Sequence, residues 1–203
     1  MDFVDVPVEE LLSDAYAEER RKQIGDTAGK YSAGEISAGE TIYMTVADSQ
    51  GNMISLIQSN YRGMGSGMAP PKLGFMLQDR GELFSLKRGQ ANTFEPGKRP
   101  FHTIIPAFMT KDGKPYVSFG VMGGDFQPLG PTQRVLNLDE IGKHLQDARA
   151  APRWDHTGGA SPMGRTTEDT GLIRVESGIP YSTLRGLMDR RHRIGTARGI
   201  YGG

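Results

Sequence analysis

The stretch Thr41-Ile-Tyr-Met-Thr-Val-Ala-Asp48, Ser49-Gln-Gly-Asn52, Met53-Ile-Ser-Leu-Ile-Gln58 decides the fold class. Its two ends are rich in β-branched and aromatic residues, which favour strands. The polar segment between them contains glycine and asparagine, which favour turns. The stretch therefore predicts an antiparallel hairpin. A second hairpin is predicted over residues 101–121, with Asp112-Gly113 at its turn.

The segments around the hairpins predict helices, loops and further strands. Apolar residues at helical spacing predict helices over residues 6–25, about 131–149 and 180–191. Short apolar runs predict strands at 73–77 and 172–176, and residues 150–170 are predicted as a loop. Residues 26–40 are rich in glycine, alanine and serine and predict a linker. The order of elements predicts an α+β fold with an antiparallel sheet.

Composition excludes several classes of function. The 203 residues carry 24 basic and 24 acidic side chains. Because nucleic-acid binders usually carry an excess of basic residues, no nucleic-acid partner is predicted. The absence of cysteine excludes disulfides, thiolate metal sites and a cysteine nucleophile. No apolar run approaches the roughly 18 residues of a membrane-spanning helix. The first residues do not resemble a signal peptide, so the cytoplasm is slightly preferred over the periplasm or secretion.

Common catalytic and ligand-binding motifs are missing from the sequence. It contains no G-x-S-x-G elbow, no H-E-x-x-H pair and no Walker lysine loop. The four histidines are scattered, so no metal site is predicted. Gly63-Met-Gly65-Ser-Gly67 loosely resembles a phosphate-binding loop, but no predicted helix follows it. No organic cofactor is predicted either.

Thr41 occupies an unusual position, where the glycine-rich linker meets the first predicted strand. A threonine hydroxyl becomes a nucleophile only beside a base, and a free α-amine, with a pKa near 7.7–8.0, can be that base. Cleavage between Glu40 and Thr41 would create that amine. Threonine is also common at strand starts because it favours extended structure. Both interpretations remain open from these residues alone.

Several ordered motifs together resemble the small subunit of γ-glutamyltranspeptidases, which are N-terminal-nucleophile hydrolases that cleave themselves before a threonine. The motifs lie in Thr41–Ser55, Gln58–Gly67, Leu77–Gly81, Pro96–Pro106, Gly120–Pro128, Ala151–Trp154 and Glu176–Gly178. The resemblance implies the small-subunit half of an αββα sandwich. It makes residues 1–40 the tail of the large subunit with a linker, and residues 41–203 the catalytic small-subunit domain, shortened at its C-terminus.

The resemblance also implies catalytic roles for four residues. Thr41 corresponds to the nucleophile, and its freed amine to the general base. Ser59 corresponds to a second hydroxyl that hydrogen-bonds the nucleophile. Gly123 and Gly124 correspond to the pair whose backbone N–H groups form the oxyanion hole. Because glycine has no Cβ, the backbone can approach the tetrahedral oxyanion closely there.

The substrate-binding positions depart from the glutathione-handling members of that family. The positions that hold the substrate's amine and carboxylate there correspond to Tyr61, Leu83, His102 and Thr103. Leu83 cannot pair with an ammonium group, which leaves Asp79 or Glu82 as alternatives from a shifted loop. His102 either contacts a substrate carboxylate or braces its strand. Arg99 is a further candidate anion contact.

These departures resemble the γ-glutamyltransferase-like or cephalosporin-acylase-like branch of the family. The implied function is that of a self-processing zymogen, an amide acyl transferase or hydrolase that acts on γ-glutamyl or similar acyl amides of small molecules or peptides, as in glutathione metabolism. One alternative is a glutaryl- or cephalosporin-type acylase without transpeptidation. Another is a non-catalytic fragment that needs a large-subunit partner. Loss of that partner predicts an exposed apolar sheet face.

Overall fold

The computed structural model describes residues 7–29, 40–158 and 170–197. The predicted linker before Glu40 lies mostly outside these residues. The helices and helical turns are α1 Val8–Leu11, α2 Asp14–Lys22, a 3₁₀ turn Arg80–Leu83, α3 Phe126–Val135, a π turn Leu136–Glu140, α4 Leu145–Ala150 and α5 Tyr181–Asp189. The strands are β1 Glu40–Ala47, β2 Met53–Tyr61, β3 Ala107–Lys111, β4 Lys114–Phe119, β5 Trp154–Thr157, β6 Leu172–Val175 and β7 Ile194–Thr196.

The predicted first hairpin is confirmed, with β1 antiparallel to β2. Asp48 closes its turn: Oδ1 accepts hydrogen bonds from the backbone N–H groups of Gln50 and Asn52, each at 2.9 Å. Its other carboxylate oxygen accepts from Nδ2 of Asn52 at 2.7 Å. These hydrogen bonds, led by the one from the Asn52 side chain, hold the pKa of Asp48 below its ordinary value.

The second hairpin, β3 with β4, packs against the first. The hydroxyl of Tyr43 in β1 lies 2.9 Å from Ser55 Oγ in β2 and 3.1 Å from Ser118 Oγ in β4. Gly120, just after β4, lies against the Tyr43 ring, where a Cβ would come within 2.5 Å of a ring carbon. The missing side chain therefore lets the chain after β4 pass directly against the Tyr43 ring.

The third sheet has the order β5-β6-β7, with β5 antiparallel and β7 parallel to β6. Two ion pairs secure it: Arg153 with Glu176 at 3.0 Å, and Arg174 with Asp155 at 2.9 Å. The strand prediction at 172–176 is confirmed. The loop prediction for 150–170 is wrong at β5, because its four residues are too few to show an alternating pattern.

Helix predictions were correct in type but not in bounds. The first predicted helix breaks at Ser13, whose side chain caps α2 by accepting from Tyr16 N–H at 3.1 Å. The helix predicted over about 131–149 begins earlier, at Phe126, keeps Pro131 inside it, and is interrupted at residues 141–144 before α4. The predicted strand at 73–77 is wrong. The Leu77 carbonyl accepts from the backbone N–H and the hydroxyl of Ser66, each at 2.9 Å, instead of from a strand.

The predicted apolar sheet face is exposed in the structure. We call it the outer face of the β1–β2 hairpin, and it consists of Ile42, Met44, Val46, Ile54 and Leu56. The predicted α+β class is confirmed by the mixed helices and strands. Within the described residues, no helix is long and apolar enough to cross a membrane.

Candidate active site

Thr41 lies at the start of β1, directly opposite Ser59 of β2. The strand register shifts between Glu40 and Thr41, so that Glu40 pairs with Tyr61 and the regular ladder begins only at Thr41. Thr41 is 8% exposed. The peptide bond predicted to be cleaved therefore sits at an irregularity of the sheet, beside a largely buried hydroxyl.

A hydrogen bond joins the two predicted hydroxyl residues. Thr41 Oγ1 donates to Ser59 Oγ at 3.1 Å. Ser59 Oγ also accepts from the backbone N–H of Tyr61 at 3.0 Å and from Nη2 of Arg80 at 2.8 Å. These contacts fix the Ser59 oxygen, and the Ser59 oxygen in turn orients the Thr41 hydroxyl.

Arg80 is a member of the site that sequence reasoning missed. It is 7% exposed, and its Nη1 donates to Thr103 Oγ1 at 3.2 Å. Its guanidinium carbon lies 5.1 Å from the centre of the Tyr61 ring. Burial lowers the pKa of Arg80, while the charges of Tyr61 and Asp79 act in the opposite direction. The available signal was its place in the Leu77–Gly81 motif, but an arginine at such a position is ordinarily exposed.

Tyr61 is packed inside the site and is only 1% exposed. Its backbone has a φ of 78°, the left-handed region that non-glycine residues seldom adopt. Burial, followed by the negative charges of Asp125 and Glu82, raises the pKa of its phenol. The ring supports the Arg80 guanidinium from beneath. A direct substrate contact by Tyr61 stays a prediction.

Gly123 and Gly124 precede α3 and have φ values of 120° and 56°, which glycine adopts without strain. Their carbonyls accept from Phe126 and Gln127 N–H, each at 3.1 Å. Among the described residues, no acceptor takes a hydrogen bond from either glycine N–H. Asp125, the residue that follows this pair, is among the charges that raise the pKa of Tyr61.

Of the remaining predicted substrate contacts, only Thr103 is bonded to a member of this site. His102 and Arg99 are exposed, and neither forms a hydrogen bond or ion pair with another described residue. Thr103, next to His102, is buried and bonded to Arg80 instead. Substrate binding by these three residues stays a prediction.

Glu82 and Asp79, the two alternative acids for the substrate amine, both contact Arg62. Glu82 pairs with Arg62 at 2.6 Å, and Asp79 Oδ1 accepts from the backbone N–H of Arg62 at 3.2 Å. Leu83, at the position of the missing acid, is buried. Over the described stretches of chain, no group of three histidine, aspartate or glutamate side chains is arranged to hold a metal ion.

The arrangement is suited to nucleophilic acyl transfer. It places a buried hydroxyl beside a second hydroxyl that accepts from a cation, and the loop before α3 carries two backbone N–H groups that donate to no acceptor among the described residues. Preorganised N–H donors of this kind stabilise an oxyanion.

Comparisons with known proteins identify relatives of the whole chain. The model of the family described as Gamma-glutamyltranspeptidase matches residues 1–203. The glutathione hydrolase-like YwrD proenzyme of Bacillus subtilis is 37% identical over 193 residues, which are 95% of this chain and 35% of that protein. The oxamate amidohydrolase proenzyme of Klebsiella pneumoniae is 37% identical over 153 residues, covering 74% of this chain and 29% of that protein.

A solved structure shows the same fold. The crystal structure of cephalosporin acylase from Bacillus halodurans matches with a TM-score of 0.82 and 41% identity, over 98% of this chain and 34% of that chain. The chain thus spans about a third of the length of each of these three proteins.

Proposed function

The chain belongs to the gamma-glutamyltranspeptidase family, and on that premise we propose that it is the nucleophile-bearing part of a self-processing amide acyl transferase or hydrolase. The observation that carries the proposal is the hydrogen bond of 3.1 Å between Thr41 Oγ1 and Ser59 Oγ at the irregular start of β1. The relatives support it, because both curated relatives described above are named as proenzymes.

The first reaction is self-cleavage. Thr41 Oγ1 attacks the carbonyl carbon of Glu40 and loses its proton, while the bond from that carbon to the Thr41 nitrogen breaks and the nitrogen gains a proton. The resulting ester joins Glu40 to the Thr41 oxygen. Water then hydrolyses the ester, which leaves a carboxylate on Glu40 and a free α-amine and hydroxyl on Thr41.

The second reaction is acyl transfer. The freed Thr41 amine accepts the proton of the Thr41 hydroxyl as Oγ1 bonds to the carbonyl carbon of a substrate amide. The π electrons of that carbonyl group move to the carbonyl oxygen, which becomes an oxyanion. The N–H groups of Gly123 and Gly124 would donate to that oxyanion. The C–N bond then breaks, the leaving amine takes the proton, and water or an acceptor amine removes the acyl group.

The acyl donor is either a γ-glutamyl amide or a related acyl amide of the acylase type. Buried Leu83 replaces the acid that would hold a γ-glutamyl ammonium group, and both nearby acids contact Arg62. These observations favour the acylase alternative. A γ-glutamyl anilide and a glutaryl anilide, offered to the same preparation, separate the two. Preference for the γ-glutamyl compound would contradict the acylase alternative.

We also propose a large-subunit portion of the same precursor as the partner. The outer face of the β1–β2 hairpin is apolar and exposed, with Ile42 at 69% and Ile54 at 56%. Exposed apolar patches of this kind mark contact surfaces. The matched proteins are about three times as long as this chain, which provides the additional polypeptide.

An intact mass spectrum tests self-processing. After incubation of the chain, alone and within the full precursor, we expect a species that begins at Thr41. Thr41→Ala should abolish it, because no hydroxyl remains to attack. Thr45→Ala is the matched control, since Thr45 lies on the same strand and face but is exposed. Cleavage in Thr41→Ala, or none in the wild-type precursor, would refute the proposal.

A further inference from the structure

Arg80 is connected to the proposed nucleophile by two consecutive hydrogen bonds. Its Nη2 donates to Ser59 Oγ at 2.8 Å, and the same oxygen accepts from Thr41 Oγ1 at 3.1 Å. We propose that Arg80 is a positioning residue that holds Ser59, and through it the Thr41 hydroxyl, in the geometry for attack. The inference rests on the function proposed above and adds a residue and a role to it.

The guanidinium group is itself fixed from several directions. Nη1 donates to Thr103 Oγ1 at 3.2 Å, and the Tyr61 ring lies at 5.1 Å. Thr103 lies in a loop before β3, so Arg80 joins this loop to β2. A planar guanidinium that donates to hydroxyls in two separate segments has little freedom to rotate. Thr103 therefore acts on the nucleophile through Arg80.

The positive charge of Arg80 is directed at the hydroxyl pair. Of the two nearby acids, Glu82 pairs with the Arg62 guanidinium, whereas Asp79 accepts from the Arg62 backbone N–H and its charge also acts on Arg80. No carboxylate among the residues the structure describes lies within ion-pair distance of Arg80. A charged donor strengthens its hydrogen bond to Ser59. It also favours the negative charge that builds on Thr41 Oγ1 during attack.

The hydrogen bonds distinguish Arg80 from its neighbour Arg62. Both guanidinium groups lie over the Tyr61 ring, at 5.1 Å and 5.8 Å from its centre. Only Arg80 donates to Ser59, whereas the Arg62 side chain pairs with Glu82. Arg62 is therefore a matched control, an arginine on the same ring without the link to the nucleophile.

The test compares Arg80→Gln, Arg80→Lys and Arg62→Gln in the full precursor. We measure the rate constant of self-cleavage by mass spectrometry, kcat and KM with neutral and carboxylate-bearing acyl anilides, and Tm. Arg80→Gln should lower the cleavage rate and kcat roughly 10²-fold, as expected for a misplaced nucleophile, with KM changed less than about threefold. Arg80→Lys should recover about tenfold, and Arg62→Gln should stay within about twofold of wild type.

A second pair of variants keeps the test decisive if Arg80→Gln does not fold. Thr103→Val removes the hydroxyl that holds Nη1, and Thr103→Ser keeps it. We expect the valine variant to lose kcat about threefold to tenfold with KM changed less than about threefold, and the serine variant to recover most of the lost kcat.

Three results would overturn the inference. One is a KM increase confined to carboxylate-bearing substrates, which would make Arg80 an anion-binding residue. The second is unchanged kcat in folded Arg80→Gln. The third is equal kcat in the two Thr103 variants. Failure of the proposed function itself looks different, because the wild-type precursor would then neither cleave nor turn over substrate.

Discussion

The two faces of the β1–β2 hairpin reverse the usual distribution of polar and apolar side chains. The face toward the site carries the hydroxyl groups of Thr41, Tyr43, Ser55 and Ser59, which are bonded to one another or to neighbouring segments. The outer face carries five exposed apolar side chains. In most half-exposed sheets the apolar face is the covered one. The hairpin thus has the surface chemistry of a strand pair that another polypeptide covers.

The difference shows how function and packing divide between alternate residues. Buried hydroxyls are stable only when each finds a hydrogen-bond partner, and the inner face provides those partners. Apolar side chains on the outer face gain nothing until they are removed from water. The hairpin therefore carries the candidate site on one face, where the partners of the hydroxyl groups come from this chain. Its other face is an apolar surface that stays exposed to water.

The largest expected effect comes from removing the inner-face hydroxyl beside the nucleophile. Ser59→Ala should slow self-cleavage and acyl transfer roughly 10²-fold, because Thr41 Oγ1 loses the acceptor that orients it and Arg80 loses an acceptor. The rate constant is measured by mass spectrometry. Ser55→Ala, on the same face but bonded to Tyr43, should stay within about twofold of wild type. Equal losses in both variants would mean that the whole face, not the pair, matters.

A smaller effect is expected where the second hairpin packs on the inner face. In Gly120→Ala the new Cβ would lie 2.5 Å and 2.6 Å from two Tyr43 ring carbons. The ring or β4 must move, so we expect a loss of about 1–3 kcal/mol in the free energy of unfolding, measured with urea.

The control for that variant is a glycine with space around it. Gly186 lies within α5, where a Cβ would meet no atom within 4 Å. Gly186→Ala should raise stability by up to about 1 kcal/mol because alanine favours the helix. A loss in Gly186→Ala as large as that in Gly120→Ala would contradict the packing argument.

The smallest effect is expected on the outer face of the isolated chain. Ile54→Thr should change the free energy of unfolding by no more than about 0.5 kcal/mol, because Ile54 is already 56% exposed. Ile57→Thr, on the inner face of the same strand, should cost about 1 kcal/mol or more. Urea unfolding compares the two. With the proposed large-subunit portion added, Ile54→Thr should also weaken its binding, and unchanged binding would remove the outer face from the interface.

The local sequence pattern was enough to predict the elements that depend only on residues close together along the chain. The β1–β2 hairpin follows from β-branched residues on either side of Asp48–Asn52, and the turn is held by Asp48 itself. The strand predicted at 73–77 failed because the Leu77 carbonyl is taken by Ser66, a residue of the preceding loop. Helix α3 begins before its predicted start, because the burial of Phe126 and Gln127 outweighs the cost of a proline inside the helix at Pro131.

Some residues of the candidate site could be predicted from the sequence and others could not, again because some depend on local motifs and others on contacts between distant segments. Thr41 and Ser59 could be found in the sequence, since each lies in a motif shared with a family. Arg80 could not be assigned there, because its burial depends on Tyr61, Ser59 and Thr103 all meeting it in space. The predicted contacts His102 and Arg99 have the right chemistry, but their exposed side chains do not reach the cluster through any hydrogen bond or ion pair with a described residue.

The sequence by itself determined the family, the α+β class, the first hairpin and the threonine at its start. Each of these depends on residues that are close along the chain or on motifs that keep their order. Only the tertiary structure decided which face of the hairpin is buried and which arginine supports the nucleophile. Those outcomes depend on contacts between distant segments, such as Arg80 with Thr103 and Tyr43 with Ser118. Side chains alternate between the two faces of a strand with a period of two, and this alternation is the same whichever face is covered.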